Sequence, residues 1–121
     1  MTDTEDSDSS VDRIERYEED DINKLAVLVG CQFGDEGKGK FIDLFSREVD
    51  VVARCQGGIS KSHITYHGES FEFKMIPPSI LHQDVNILIG HGCVINLKTF
   101  FEEIESLEKK NVHNVWQRIF V

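Results

Sequence analysis

Short apolar runs alternate along the chain with turn-rich and amphipathic stretches. Residues 25–29, 50–54 and 86–89 form apolar runs of strand length, which predict buried strands. Residues 38–47 have the apolar spacing of a helix, and Asn96 is a suitable N-cap for a second helix. One face of that second helix collects its apolar residues, which are Leu97, Phe100, Phe101, Ile104 and Leu107.

A β-hairpin is predicted in the middle of the chain. Apolar residues alternate over 63–66 and 71–76, on either side of a turn-forming stretch at 67–70, and two prolines at 77–78 end the pattern. The last residues, 118–121, have the composition of a further strand. Over residues 25–54, a strand, a glycine loop, a helix and a strand in succession predict a βαβ unit. The expected fold class is therefore α/β, with a mostly parallel sheet and a P-loop-like βαβ phosphate-binding unit.

Negative charge is concentrated at the amino-terminal end. The 121-residue chain has a net charge of −9, and ten acidic residues and two arginines fall within residues 1–21. Because this stretch has too few apolar side chains to offset its chain entropy, it is predicted to be a disordered acidic tail. Residues 22–121 are nearly neutral and are predicted to form the folded α/β part. Without a basic patch, no nucleic-acid partner is expected.

Cysteine usage and hydropathy indicate the compartment. The three cysteines, Cys31, Cys55 and Cys93, are odd in number and widely spaced, which fits a reducing compartment better than a disulfide framework or a zinc cluster. No apolar run reaches membrane length, and no signal-peptide core is present near residue 1. The sequence therefore predicts a cytoplasmic protein without a membrane partner.

A loop rich in glycine and charge, residues 34–40, carries the most specific chemistry. Its glycines present N–H groups to an anion and its lysines neutralise phosphate, whereas a carboxylate there is suited to holding a metal or taking a proton. The spacing Gly34-x4-Gly39-Lys40 matches most of a common P-loop, but Phe41 stands where Ser or Thr would bind Mg²⁺. A generic P-loop nucleotidase is therefore disfavoured, and Asp35 is a candidate replacement ligand.

This loop, together with the preceding residues 29–33, resembles the N-terminal signature of the adenylosuccinate synthetase family. The resemblance extends over about residues 25–120 and includes separated blocks at 56–58, His63, 73–77, 79–82, 89–92 and 102–108. Members of the family are several times longer. The chain is thus expected to be the N-terminal part of a nucleotide-binding α/β domain, incomplete relative to the full family domain.

The resemblance implies a Mg²⁺-dependent ligase that joins aspartate to IMP at the expense of GTP. The product is adenylosuccinate, on the route to AMP, and the reaction passes through 6-phosphoryl-IMP. By the same resemblance, Asp35 matches the general base and a Mg²⁺ ligand, His63 the general acid, and Lys38 a lysine lying across phosphate and base. The full-length family implies a homodimer, whereas this chain alone is expected to be inactive.

The resemblance also implies two sets of binding residues. The implied GTP contacts are Gly34, Asp35, Glu36, Gly37, Lys38, Gly39, Lys40, Ser62, His63 and Ile64. The implied IMP contacts are Asp35, Glu36, Gly37, Lys38, Ser60, Lys61, Ser62 and His63. The implied metal ligands are Asp35 and the carbonyl of Ser62.

A second loop, residues 57–64, departs from the family pattern around its histidine. The family has Asn, Ala, Gly and Thr where this chain has Ser60, Lys61, Ser62 and Ile64. These changes remove an amide and a hydroxyl from positions expected near IMP and GTP, and they add a lysine. They leave an alternative open, in which the chain is a truncated or non-catalytic relative that binds nucleotide without turnover.

Overall fold

The computed structural model describes residues 25–32 and 37–121. The predicted acidic tail, residue 33 and residues 34–36 of the first loop (residues 34–40) lie outside the described ranges. The described part is a mixed α/β structure with a small parallel sheet, a separate antiparallel hairpin and three helices. The α/β fold class is confirmed.

The parallel sheet contains β1 (Val51–Arg54), β4 (Asn86–Ile89) and β5 (Ile119–Phe120) in the order β1-β4-β5. Val52 pairs with Ile87, and Ile87 also pairs with Ile119. The side chains of these three residues pack in or against the core, whereas Leu88 and Phe120 on the opposite face are exposed. One face of this parallel sheet is therefore covered and the other is open among the described residues.

The predicted hairpin is confirmed as β2 (Ser62–Tyr66) and β3 (Glu69–Phe73). Its turn is shorter than predicted, because only His67 and Gly68 separate the strands. Both have left-handed backbones, with φ 48° and φ 80°, which is the conformation that a two-residue hairpin turn requires. Ile64, Phe71 and Phe73 on the inner face of the hairpin enter the core.

Three helices frame these strands. The first, α1 (Lys38–Phe45), continues into a 3₁₀ turn, Ser46–Glu48. The second, α2 (Leu97–Lys109), is capped as predicted, since the Asn96 side chain accepts the N–H of Thr99 at 3.1 Å. A short α3 (Val115–Arg118) leads into β5, and another 3₁₀ turn, Pro78–Leu81, precedes β4.

The hydrophobic core lies between α2, the hairpin and the covered face of the sheet. Ile80, Ile87 and Ile104 are fully buried at its centre. In α2, Phe100, Ile104 and Leu107 are buried, but Leu97 and Phe101, which the sequence placed on the same face, are exposed. The apolar stripe of α2 is therefore narrower than its pattern predicted. Every helix in the described ranges is too short or too polar to cross a membrane.

The strand predicted at residues 25–29 is wrong for this structure. These residues have no regular secondary structure, and Leu25, Val27 and Val29 are strongly exposed. A continuous apolar run indicates a preference for burial, but a parallel strand also needs a neighbouring strand and cover on both faces. Within the described residues β1 pairs only with β4. The βαβ unit that does form is therefore β4–α2–β5, not the predicted one over 25–54.

Candidate functional site

The first turn of α1 contains the described end of the first loop. Gly37 precedes the helix in the left-handed conformation, with φ 75° and ψ 23°, and its carbonyl accepts the N–H of Lys40 at 3.0 Å. The described first turn of α1 contains no acidic residue, and Lys38 and Lys40 there are exposed. Helix N–H groups and lysines make this end electropositive and suited to phosphate. Gly34, Asp35 and Glu36 lie outside the described residues.

Gly39 brings the first loop against the second. A Cβ atom built on Gly39 would lie 2.9 Å from the Cβ of Ser62 and 3.1 Å from its Oγ. Because real Cβ atoms essentially never approach another carbon so closely, a side chain at this position would force one of the two segments to shift. Two segments that are far apart in the sequence, and that the family resemblance assigns to one site, are thus in direct contact.

Side chains along β2 alternate between the two faces of the hairpin. Ser62 and Ile64 lie on the inner face, where Ser62 meets α1 and Ile64, only 5% exposed, joins the core. His63 lies on the outer face, exposed and paired through its backbone with Glu72. The side chain of Ile64 is therefore committed to packing, so only its backbone remains for a bound ligand, and His63 leaves the hairpin on the face opposite Ser62.

The remainder of the second loop is held by its backbone. Ser60 and Lys61 are exposed, and the Ser60 N–H donates to the Lys74 carbonyl at 2.8 Å. Ser62, which the family resemblance places at a glycine position, is not among the described non-glycine residues with positive φ. Substituting serine for glycine there consequently creates no left-handed backbone strain.

The loops that follow β1 and β4 are joined at the same edge of the sheet. Gly57, with φ 95°, forms a parallel bridge to Cys93, and its carbonyl accepts the N–H of Val94 at 2.9 Å. A Cβ built on Gly92 would lie 2.4 Å from the carbonyl oxygen of Cys55. In parallel α/β sheets, the edge at the carboxyl ends of the strands is where ligands bind. The start of the second loop lies at that edge.

Two polar contacts anchor the C-terminal end of α1, and the sequence did not indicate either of them. Ser46 and Ser79 are buried and share a hydroxyl–hydroxyl hydrogen bond of 2.7 Å. Asp43 and His82 pair at 2.9 Å between Oδ1 and Nε2. Both contacts tie the helix to the turn Pro78–Leu81 or its end. They fix the direction in which the start of α1 points.

The ligands expected for Mg²⁺ are only partly described by the structure, because Asp35 lies outside the described residues. Among the described residues no group of three or more His, Cys, Asp or Glu side chains converges. Mg²⁺ typically takes one or two carboxylates together with water and substrate phosphates, without an all-protein cage. The expected ligands, Asp35 and the Ser62 carbonyl, are hard oxygen donors of that kind. Ser62 packs against the first turn of α1, where phosphate is expected.

Two buried charged residues near the core were also missed by the sequence analysis. The carboxylate of Glu103 accepts three backbone N–H groups, and the guanidinium of Arg118 donates to four backbone carbonyls. Burial raises the pKa of Glu103, an effect that its N–H donors and Lys74 only partly oppose. Burial lowers the pKa of Arg118, and Asp84 opposes this shift. One available signal for Glu103 was its position on the buried side of α2, three residues after Phe100 and four before Leu107.

Known proteins match the chain over this same region. The family model for adenylosuccinate synthetase matches residues 27–121. An adenylosuccinate synthetase from Trichoplax adhaerens is 38% identical over 104 residues, covering 85% of this chain and 24% of the relative. One from Dictyostelium discoideum is 43% identical over 97 residues, covering 79% and 22%.

A solved structure agrees. The fully ligated adenylosuccinate synthetase from Plasmodium falciparum matches with a TM-score of 0.65 and 32% identity, over 75% of this chain and 21% of that one. The chain thus spans between about a fifth and a quarter of the length of these relatives. The family match, the parallel sheet and the contact between the two loops lead to one conclusion: the chain belongs to the adenylosuccinate synthetase family.

Proposed function

We propose that residues 22–121 form the N-terminal, nucleotide-binding part of an enzyme that joins aspartate to IMP at the expense of GTP. The observation that supports this most is the contact of Gly39 with Ser62. It joins the glycine-rich first loop to the second loop, and phosphoryl transfer to a purine is proposed to need both loops in one place. The side chain of His63 leaves β2 on the face opposite Ser62, so the contact supports the meeting of the two loops and not the position of the histidine. GTP, IMP and aspartate are the proposed substrates, and the full-length protein is proposed to be a cytoplasmic homodimer.

The start of α1 is proposed to hold phosphate groups. The N–H groups at the start of a helix favour a bound anion, and Lys38 and Lys40 add two positive charges. Gly34, Glu36 and Gly37 complete the contacts proposed for the nucleotides. Fixed donors of this kind stabilise the charge that develops on a transferring phosphoryl group without having to reorganise.

Proton transfer is proposed to involve Asp35 and His63. Asp35 removes the proton from N1 of IMP, so that the 6-oxygen gains electron density and attacks the γ-phosphorus of GTP, releasing GDP. His63 donates a hydrogen bond or proton to the transferring group. The phosphorylated 6-oxygen then leaves as phosphate when the amine of aspartate attacks C6. Asp35 and Ser62 would hold Mg²⁺, which supplies charge neutralisation at the phosphates when bound.

A second function is favoured by a specific observation on the second loop. The Ile64 side chain is buried in the core, and Lys61 is exposed where the family has alanine. A loop with these residues retains its fold but offers IMP and GTP a different set of polar groups, without an amide at position 60 or a hydroxyl at position 64. Nucleotide binding without turnover is therefore the alternative.

A chimera distinguishes the two functions. The segment of the Dictyostelium relative that matches this chain is replaced by residues 25–121, and adenylosuccinate formation is assayed with IMP, GTP, Mg²⁺ and aspartate. An active chimera supports the ligase function. A folded chimera that binds GTP but makes no adenylosuccinate supports the alternative. The 121-residue chain by itself is expected to bind nucleotide weakly and to make no product.

Restoring the family residues in the second loop tests the same point. We expect the change Ser60→Asn, Lys61→Ala and Ser62→Gly to increase affinity for IMP and GTP, because it returns an amide and removes a lysine. Ile64 is kept, because its side chain is buried in the core and a threonine hydroxyl there would not reach a ligand. Calorimetric titration of both proteins measures the change. Unchanged or weaker binding would mean that this loop serves a different ligand.

A further inference from the structure

A three-residue segment, residues 74–76, lies between α2 and the second loop and is hydrogen-bonded on both sides. We call it the strap. It follows β3 directly and leads through Pro77 into the turn Pro78–Leu81, so it also continues to the residues that anchor α1. Met75 and Ile76 are buried in the core. Any displacement of the strap would consequently reach both loops of the candidate site.

Glu103 binds the strap from the side of α2. Its Oε1 accepts the N–H groups of Lys74 at 3.0 Å and Ile76 at 3.3 Å, and its Oε2 accepts that of Met75 at 2.9 Å. The residue is only 6% exposed. A single carboxylate thus satisfies all three N–H donors of the strap, and hydrogen bonds to a charged acceptor are stronger than those to a neutral one.

Carbonyl groups of the strap bind the second loop on the other side. The Lys74 carbonyl accepts the N–H of Ser60 at 2.8 Å. The Met75 carbonyl accepts Nη1 of Arg54 at 2.7 Å, while Nη2 of the same guanidinium donates to the carbonyl of Gly58. Arg54 is the last residue of β1. It connects the end of that strand, the second loop and the strap.

We infer that Glu103 is a positioning residue for the second loop, which it holds through the strap and through Arg54. The carboxylate aligns the three N–H groups, and that alignment points the carbonyls of Lys74 and Met75 toward Ser60 and Arg54. The effect on substrate binding rests on the proposed function of the second loop. The link from α2 to Ser60 through these hydrogen bonds does not depend on the proposed function.

Glutamine at position 103 breaks one defined bond of this arrangement. Its amide has one acceptor oxygen and two N–H donors. With the oxygen facing Lys74 and Ile76, the NH₂ group faces the N–H of Met75, and neither donor is satisfied. Glu105→Gln is the matched control, because it removes the same charge from the same helix at an exposed residue whose contact is a surface ion pair with Lys109.

Amide hydrogen exchange in the ligand-free 121-residue chain tests the link. We expect Glu103→Gln to speed exchange of the Ser60 N–H by about tenfold relative to that of Asn86, which bonds to the Asp50 carbonyl at the sheet. Glu105→Gln should change neither. Equal acceleration at Ser60 and Asn86 would show general destabilisation and overturn the inference, as would no acceleration at Ser60.

Arg54→Lys provides a second variant that leaves α2 intact. Lysine keeps the charge but lacks the planar fork that donates to both Met75 and Gly58. It should accelerate exchange at Ser60 as Glu103→Gln does, and the double variant should show less than the product of the two effects because part of the effect of Glu103 passes through Arg54. Multiplicative effects would mean that Glu103 does not act through Arg54, which contradicts the inference.

Titration with IMP and GTP then measures the consequence for ligand binding. Glu103→Gln should weaken affinity by about tenfold, in line with one lost charged hydrogen bond, and Glu105→Gln should leave it unchanged. If the unmodified chain binds neither nucleotide, the proposal that this part binds nucleotide by itself fails, and the exchange experiment still decides the positioning role. If the unmodified chain binds and Glu103→Gln binds equally well, the positioning role fails alone.

Discussion

Replacing Gly39 by alanine adds one methyl group at the point where α1 meets β2. Viewed as a helix substitution alone, the change should stabilise the protein by about 1 kcal/mol, because glycine is a poor helix residue. The added methyl, however, would lie 2.9 Å from the Cβ of Ser62. That atom is fixed to the backbone of a strand and cannot rotate away. Overpacking of this kind costs about 1–3 kcal/mol, so we expect Gly39→Ala to be neutral or to destabilise by up to about 2 kcal/mol.

A double-mutant cycle isolates the contact. Ser62→Gly removes the two atoms that the new methyl would approach too closely and leaves an ordinary contact with Cγ of Pro78 at 3.7 Å, at a cost of about 0.5–1 kcal/mol for glycine in a strand. In that background Gly39→Ala should recover its helix advantage, giving a favourable coupling of about 1–3 kcal/mol. Gly37→Ala is the control. Among the described residues, a methyl group added at Gly37 meets nothing within 4 Å, and the variant loses about 1 kcal/mol to its left-handed backbone whether or not Ser62 is present.

Urea unfolding followed by circular dichroism and by the fluorescence of Trp116, the only tryptophan, measures these free energies. Nucleotide titration of the same variants measures whether separating α1 from β2 weakens binding. If the Gly39 and Ser62 effects add to within about 0.5 kcal/mol, the two loops are not in contact as the structure has them. The central observation behind the proposed site would then be lost.

Three further predictions concern other parts of the chain. Because burial raises the folded-state pKa of Glu103, its contribution to the free energy of unfolding is present below the ordinary glutamate pKa and is lost as pH rises through the raised value. Urea unfolding at pH values across that window should show the free energy of unfolding falling as pH rises in the unmodified chain but not in Glu103→Gln. Parallel curves for the two proteins would contradict this prediction. Asp35→Asn in an active chimera should lower turnover by about 10²–10⁴-fold with unchanged circular dichroism, whereas activity within about tenfold of the parent would refute its role. Deleting residues 1–20 should leave Tm and nucleotide affinity unchanged, and a shift of several degrees would show that the tail docks.

Elements defined by local chemistry were predictable from the sequence. The Asn96 cap, the period of α2 and the alternation of the hairpin each depend on neighbouring residues, and each is confirmed. The strand expected at residues 25–29 failed because an apolar run indicates burial but does not specify a pairing partner. The exposure of Phe101 likewise depends on how wide a surface the rest of the fold presents to α2.

Side-chain contacts across the fold could not be predicted in the same way. Glu103 lies in an acidic helix beside Glu102 and Glu105, and only its place over the core distinguishes it. Gly39 belongs to a recognisable glycine loop, yet its close approach to Ser62 depends on the tertiary position of the hairpin. The chemistry of the first loop could thus be predicted from its residue types, whereas the residues that support the loop were identified only from the packing in the structure.

The guanidinium of Arg118 limits where this unit can be shortened. Arg118 lies next to the two-residue strand β5, but its hydrogen bonds reach the carbonyls of Ile80, His82 and Val85, more than thirty residues earlier in the chain. Removing Arg118 would leave these carbonyl acceptors, which lie in the segment that leads from the strap into β4, without their hydrogen-bond donor. A domain boundary drawn before Arg118 would therefore damage the middle of the fold, and any shortened form intended to keep the site intact must retain this residue.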